Sequence, residues 1–423
     1  MKEKGKLYND NSQLEIINKL KEECYHTIKN KELNTIDVIN ACDILSKKVR
    51  NKNYDEVIIP LLSQLDISYE IFERYISMFE KESLIKKCEI ELGKDYNEEI
   101  LIDNNIKKKI TPLGILFHIA AGNVDVLPAY SVIEGLLSRN INILKLPSND
   151  NGLSILLLLE LIKIDPKLKD FIYVFDVPST DIKTIKILSD ISDAVVIWGG
   201  DLAVKSIKKL ASITTKVITF GHKLSFTYAT LNALDKDLED LATQICLSNQ
   251  LFCSSTQGIF VDTMNKDDLV KFGERFFNIL LNINNKQKPL PLGVRGKTTL
   301  ESYTNDLELK DNKKILFAKS GISVEVLLDS NLTLSNLFRN VWIKPLVKDK
   351  LIDNLKPYKN HLQTVCLISN KEERTNIISL LEKTGVTRIV KPENMQRFII
   401  GENHDGMYAL REYSKIIDID IFD

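Results

Sequence analysis

Apolar residues change their spacing along the chain, and the changes mark out its parts. Over residues 10–100 they recur at helical intervals between charged positions: Leu14, Ile17 and Leu20, then Val38, Ile39, Leu45 and Val49, then Ile71, Phe72, Tyr75, Ile76 and Phe79. Side chains three and four apart share one helix face, so these sets predict a helical N-terminal layer, with one helix opening at Asn34-Thr35. From Ile110 short apolar runs take over. Strands are predicted at 115–119, 141–146, 171–175, 194–198 and 216–220, alternating with helices at 128–138, 153–162, 180–188 and 201–210. Apolar strands alternating with helices through short connections imply a parallel sheet covered on both faces. Such sheets bind ligands at the carboxyl ends of their strands.

Beyond about residue 226 the pattern returns with other spacings. A helix is predicted at 238–246, a strand at 258–261, a helix at 269–281, strands at 322–328, 341–347 and 363–368, and a helix at 372–383. The polar stretch 282–288, followed by Pro289 and Pro291, reads as a loop or hinge. The expected fold class is α/β: a helical region over 1–104, a parallel-sheet domain over 105–224, a second α/β domain over 225–395, and a C-terminal segment over 396–423.

Composition narrows the function classes. A chain of 423 residues is long for one core and suits two to three domains. Its 57 basic and 58 acidic residues give a net charge of -1, no field to hold polyanions, and so no expectation of nucleic acid. The six cysteines, at 24, 42, 88, 246, 253 and 366, have no CxxC or His/Cys spacing that suggests zinc, so no metal is expected. They read as reduced thiols of a cytoplasmic protein. The start, MKEKGKLYNDNSQ, lacks the apolar core of a signal peptide, and no run reaches the length of a membrane span; 155–162 comes nearest and fits a buried helix.

Several residues could carry chemistry. Cys253 sits in a small polar turn directly ahead of the run Gly258-Ile259-Phe260-Val261, with serines around it that can hydrogen-bond a thiolate. A small buried hydrophobe is the alternative for any cysteine. Asn123, in Ala121-Gly122-Asn123, can aim an amide at a developing oxyanion, or simply form a turn. No GxGxxG follows a strand. In its place stand Lys145-Leu146-Pro147-Ser148 at one strand end and Gly199-Gly200 at another, where a lysine can hold a ribose or phosphate and a glycine pair admits a pyrophosphate. A solvated lysine and an ordinary helix start are the alternatives.

The stretch TPLGILFHIAAGNVDVLPAYSVIEGLLSRNINILKLPS, 111–148, resembles the aldehyde dehydrogenase superfamily. With VVIWGGD, the CSSTQ turn at Cys253, HLQTV from His361 and HDG from His404, the chain from about 105 onward resembles more closely the fatty acyl-CoA reductases of bacterial bioluminescence, the LuxC type. The resemblance implies an aldehyde-dehydrogenase-like fold, with 105–224 binding a nicotinamide cofactor and 225–395 carrying the nucleophile. It implies Cys253 as nucleophile, Asn123 as oxyanion donor, Lys145 and Ser148 at the cofactor ribose, and Gly199 and Gly200 at the pyrophosphate. The chain departs from the family at Thr256, usually proline, and at Ser248 or Asn249, where an acidic residue is usual.

Hydrolytic aldehyde dehydrogenases carry a glutamate base where this chain reads Val217-Ile218-Thr219-Phe220-Gly221-His222-Lys223 without a carboxylate. An acyl-enzyme with no base to activate water is suited to reduction or transfer. Ser148 replaces the glutamate with which NAD-selective relatives repel a 2′-phosphate, so NADPH is the expected cofactor, although Asp150 stands nearby. His222 and His404 are candidate proton-handling or orienting groups, and His404 could instead cap the next helix; His118, in an apolar strand, reads as core. The expected reaction is reduction of an acyl-CoA or acyl-protein thioester to an aldehyde. A CoA-acylating short-chain aldehyde dehydrogenase, or an acyl-accepting subunit of a reductase complex, is the alternative. An acyl-protein synthetase partner and a homo-oligomer are expected with it.

Overall fold

The amphipathic sets near the start fold as α1 (Asp10–Asn30), α2 (Thr35–Arg50), α3 (Asp55–Gln64), α4 (Tyr69–Ile76) and α5 (Lys81–Leu92). The structure, a computed structural model, describes residues 2–3, 6–7, 10–64, 69–120, 126–147, 150–308, 314–397 and 399–422. Asn34 caps α2, its side-chain oxygen accepting the Ile36 amide at 2.8 Å. Thr35 donates to the Leu137 carbonyl at 2.9 Å. Lys87, buried on α5, lies between the carboxylates of Glu91 and Glu134, so the helical layer is fastened by a buried charge cluster as well as by apolar packing.

Two short strands, β1 (Lys2–Glu3) and β2 (Lys6–Leu7), precede these helices, and β3 (Ile100–Leu101) and β4 (Ile106–Pro112) follow them. The alternating region gives β5 (Ile115–Ile119), α6 (Leu127–Leu137), β6 (Ile141–Lys145), α7 (Leu153–Ile164), β7 (Ile172–Phe175), α8 (Ile182–Ile191), β8 (Ala194–Trp198), α9 (Asp201–Leu210) and β9 (Lys216–Phe220). Among the described residues they form one sheet in the order β2-β1-β7-β6-β5-β8-β9, parallel from β7 to β9. The chain steps outward from β5 to β7 and then crosses to β8, so the strand order reverses between β5 and β8. Ligands bind at such a switch point in open parallel sheets. Every residue of β5, β6, β7 and β8 is buried, as expected of strands covered on both faces.

The second pattern gives β10 (Leu224–Ala229), α10 (Asp235–Ser248), β11 (Thr256–Val261), α11 (Lys266–Asn284), α12 (Leu292–Glu308), β12 (Lys314–Lys319), β13 (Ile322–Leu327), β14 (Asn340–Pro345), α13 (Leu351–Leu355), β15 (Leu362–Ile368), α14 (Lys371–Glu382) and β16 (Arg388–Val390). Their sheet runs β12-β13-β14-β11-β10-β15-β16, parallel except for the β12–β13 hairpin. The central strand β10 was not predicted. Ser225 and Thr227 give it an apolar/polar alternation, yet both are fully buried. Its helix α12 was also missed, and the expected loop begins late because α11 runs on to Asn284.

The last elements are α15 (Ala409–Glu412) and β17 (Ser414–Asp420), the latter pairing antiparallel with β4. The chain thus forms two compact units, Met1–Gly221 with Ile399–Asp423, and His222–Phe398.

Candidate active site

Cys253 is mounted by unusual backbone on either side. At the end of α10, Asn249 and Gln250 take φ of 47° and 63°, and Leu337, Phe338 and Arg339 take 58°, 49° and 68°. Left-handed backbone is rare for side-chain-bearing residues and persists where surrounding bonds over-determine it. Here the two segments hold each other. Phe338 donates its amide to the Asn249 carbonyl at 2.9 Å, and Arg339 donates to the Asn249 side chain at 2.9 Å. Arg339 is buried and also donates to Asn284 at 2.6 Å and the Lys288 carbonyl at 3.1 Å. Gln250 donates to the Thr256 carbonyl at 3.0 Å and accepts the Asn340 amide at 3.1 Å, tying the start of the turn to β11 and β14.

The turn itself is closed by the Ser255 amide on the Phe252 carbonyl at 2.9 Å. Gln396 bridges its two serines, accepting from Ser254 at 3.0 Å and donating to Ser255 at 3.1 Å. Ser225 donates to the Cys253 carbonyl at 2.6 Å, and Gln363 Nε2 lies 3.5 Å from Cys253 Sγ. Cys253 is exposed, whereas the other five cysteines are buried. Burial pushes the thiols of Cys24 and Cys88 up to about 12 and that of Cys246 to about 11, and those of Cys42 and Cys366 higher still. Those five are inert at neutral pH.

Ser225, Cys253 and Gln363 meet at the amino ends of the adjacent strands β10, β11 and β15. At this edge the strands turn polar while remaining buried: Ser225, Thr256, Gln257, Ser323, Asn340, Gln363 and Thr364 are all below one-tenth exposed. Downstream, the same strands are mostly apolar, with Thr227, Glu325 and Lys344 the polar residues. The register of β10 slips at Ser225–Phe226 against both β11 and β15, an irregularity of the kind that re-aims side chains beside active sites.

In the other unit, Lys145 ends β6, is 5% exposed, and donates to the Leu146 carbonyl at 3.1 Å. Burial pushes its ammonium down, with Asp176 at the end of neighbouring β7 pulling the other way. Gly199 and Gly200 follow β8 and open α9, whose N-terminus has no side-chain cap. A Cβ built at Gly200 meets nothing within 4 Å, and one at Gly199 only just touches Ala203. An uncapped helix start with open approach, on the same sheet edge as a buried lysine, fits the phosphates and ribose of a dinucleotide. His404 shares that edge: its ring packs edge-on against Trp198 at 5.0 Å and Phe220 at 5.1 Å, the last residues of β8 and β9. It does not cap the next helix, because α15 has Tyr408 at its N-cap. Asn123 and Ser148 lie outside the described residues.

His222 is exposed ahead of β10, its carbonyl accepting from His361 Nδ1 at 3.3 Å. His118 is a core residue, fully buried and bonded to Ser131 at 2.7 Å and Asn142 at 3.0 Å. Among the described residues no His, Cys, Asp or Glu cluster could hold a metal ion, and no helix is long and apolar enough to cross a membrane. Sequence reasoning missed Ser225, Gln250, Arg339 and Gln396, and gave Gln363 no role although it stands in the HLQTV stretch. A usable signal existed for Gln363, a polar residue heading an otherwise apolar strand.

Known proteins share both fold and sequence with this chain. Among solved structures, glyceraldehyde-3-phosphate dehydrogenase GapN from Methanocaldococcus jannaschii, complexed with NADP, superimposes with a TM-score of 0.72 at 15% identity, covering 98% of this chain and 95% of that one. Betaine aldehyde dehydrogenase from Staphylococcus aureus gives 0.69 at 15% identity over 95% and 86%. The fold is the aldehyde-dehydrogenase-like α/β fold expected from the sequence. Two relatives named long-chain acyl-protein thioester reductase are each 26% identical: that of Photobacterium phosphoreum over 411 residues, 91% of this chain and 80% of the relative, and that of Vibrio harveyi over 414 residues, 91% and 83%. The family model for acyl-CoA reductase (LuxC) matches residues 30–416, and the chain belongs to that family.

Proposed function

We propose that this member of the acyl-CoA reductase family reduces a long-chain acyl thioester, carried on CoA or on a protein, to the aldehyde with NADPH, through an acyl thioester on Cys253. The observation that carries the reading is the exposed thiol of Cys253 on a turn held by Ser225, Gln363 and Gln396, in a chain whose other cysteines are buried. The names of the bacterial relatives support a protein-bound acyl donor. NADP in the GapN neighbour supports a nicotinamide cofactor of the phosphorylated kind.

The Cys253 thiolate attacks the acyl carbon, the bond to the carrier sulfur breaks, and the carrier leaves as its thiolate. Asn123 donates to the oxyanion that forms and collapses on the way. When bound, the reduced nicotinamide supplies the hydride that takes the thioester to the aldehyde level. The carbon–sulfur bond then breaks, the electron pair returns to Cys253, and the aldehyde departs. Lys145 holds the ribose side of the cofactor, and Gly199 and Gly200 admit its phosphates at the start of α9. The absence of a carboxylate over 217–223 leaves water without a base, so the thioester waits for hydride.

Intact-mass measurement tests this directly. Incubation with an acyl-CoA is expected to add one acyl group at Cys253, and NADPH to release it as aldehyde. Cys253→Ala is expected to abolish both. Acyl label retained on another residue overturns the nucleophile, and faster release with NADH than with NADPH overturns the cofactor.

A further inference from the structure

We infer that Gln363 is a catalytic residue of this site: its side-chain amide donates to Cys253 Sγ and holds the sulfur as the reactive thiolate. The inference rests on the reading of Cys253 as the acyl acceptor.

The strand that carries the donor is fixed on both sides. Gln363 is 7% exposed, so its amide is not freely hydrated. Its own carbonyl accepts the Thr387 amide at 3.0 Å and the Thr387 hydroxyl at 3.3 Å, which pins its backbone to the segment leading into β16. On the following residue, the Thr364 amide donates to Ser225 Oγ at 3.1 Å, and that same Oγ donates to the Cys253 carbonyl. One serine therefore spans the nucleophile turn and the strand that carries the glutamine. Because Ser225 sits where the β10 register slips, its side chain serves both neighbours at once. The result is an amide nitrogen 3.5 Å from the sulfur, carried on a buried side chain whose backbone is fixed on both sides.

The chemistry of the donor suits the task. A carboxamide does not titrate, so it keeps its proton at every pH at which the enzyme works. A hydrogen bond to an ionised acceptor is roughly twice as strong as one to a neutral acceptor, so this contact favours thiolate over thiol. In the acyl-enzyme the sulfur bears no charge and the contact weakens; when the aldehyde leaves and the electron pair returns, it strengthens again. Gln363 thus stabilises the form of Cys253 that begins and ends the cycle. A lysine or histidine in its place would itself titrate and change the charge of the site with pH.

The test is the pH dependence of iodoacetamide alkylation at Cys253, followed by peptide mass in the full-length protein, for the unaltered chain, Gln363→Met and Gln363→Glu. The glutamate variant keeps the side-chain shape, so the comparison survives if the methionine variant folds poorly. Loss of the donor in Gln363→Met is expected to move the alkylation midpoint up by about one pH unit and to slow acylation at neutral pH about tenfold. Gln363→Glu is expected to move it further, because a negative charge then faces the sulfur. A merely structural glutamine would lower stability and leave the midpoint in place. Coincident midpoints, with acyl label still forming on Cys253, overturn the assignment alone. Failure of the unaltered protein to take acyl label on Cys253 overturns the thioester reading, and the assignment falls with it.

Discussion

Ser225 Oγ and the carbonyl of Cys253 are joined by a 2.6 Å hydrogen bond in which the serine also receives the Thr364 amide at 3.1 Å. Ser225 and Thr364 are fully buried, so the Thr364 amide has no water to turn to if the hydroxyl is removed. Leaving buried backbone groups unpaired costs about 1–3 kcal/mol. Ser225→Ala is therefore expected to destabilise the protein by that amount and, through the released turn, to slow acylation of Cys253 about tenfold, the scale of a small misplacement of a nucleophile. Stopped-flow acylation with excess acyl-CoA measures the second effect. An acylation rate unchanged in a folded variant would show that the turn is held without the serine.

Lys145 offers a different test, because among the described residues its buried ammonium donates to the Leu146 carbonyl and makes no ion pair. A charge-assisted hydrogen bond is worth about 1.5–3 kcal/mol. Lys145→Met is expected to raise KM for NADPH by about tenfold to a hundredfold with kcat little changed, on the same scale of energies. The loss should be larger for NADPH than for NADH, since the 2′-phosphate carries the charge that the lysine meets. Initial-rate kinetics with both cofactors decide it, and an equal loss for the two removes Lys145 from the phosphate.

The parts of this molecule that could be read from its sequence are those whose burial is uniform. Strands β5, β6 and β8 are buried throughout and mostly apolar, and announce themselves, and Asn34 marks a helix start by chemistry that acts within two residues. Cys253 was legible because a thiol ahead of an apolar run is a local pattern. Its supports were not. Ser225 and Gln363 lie 28 and 110 residues from it in sequence, and their polar side chains make buried strand ends look exposed. Arg339, buried against Asn249, reads in sequence as one more surface charge. Strand β17 pairs with β4 some 300 residues earlier, and partly exposed residues on both give no periodic signal.

The buried charge cluster predicts a stability effect remote from the thiol. Lys87 lies 2.9 Å from Glu134 and also meets Glu91, and Glu91 in turn accepts the Leu410 amide at 2.8 Å. Removing the cation leaves carboxylates buried without a counter-charge. Breaking a buried pair in this way costs about 3–5 kcal/mol. Lys87→Met is expected to lower the thermal midpoint markedly at neutral pH. Part of the loss should return on acidification, because burial raises the Glu134 carboxyl and a protonated acid no longer needs the lysine. Melting curves at neutral and mildly acid pH, compared with the unaltered protein at each, measure both halves. A variant as stable as the parent at neutral pH would mean that the cluster is replaced without loss by apolar packing.

His118 makes the acid limb of stability itself predictable. Burial pushes its imidazole down from 6.5 to about 4, against the hydrogen bond it donates to the Asn142 side-chain oxygen, which acts the other way. The unfolded chain therefore binds a proton near 6.5 that the folded chain refuses until about 4. Stability is complete above the unfolded value, falls as pH drops between the two, and loses nothing further from this group below the lower one. Integrated over that window the loss is about 3 kcal/mol, on the scale of 1.36 kcal/mol per pH unit. Other groups titrate over the same range, so the measurement is a difference: urea unfolding of the unaltered protein and of His118→Gln, each at a series of pH values from 7 to 4. The variant gives up the bonds to Ser131 and Asn142 and starts less stable, but it carries no imidazole to titrate. The gap between the two is expected to narrow as pH falls, because only the parent pays for refusing the proton. Parallel curves across the window would mean that the folded protein accepts the proton near its ordinary value, and that the core around β5 admits a charge which its burial is expected to exclude.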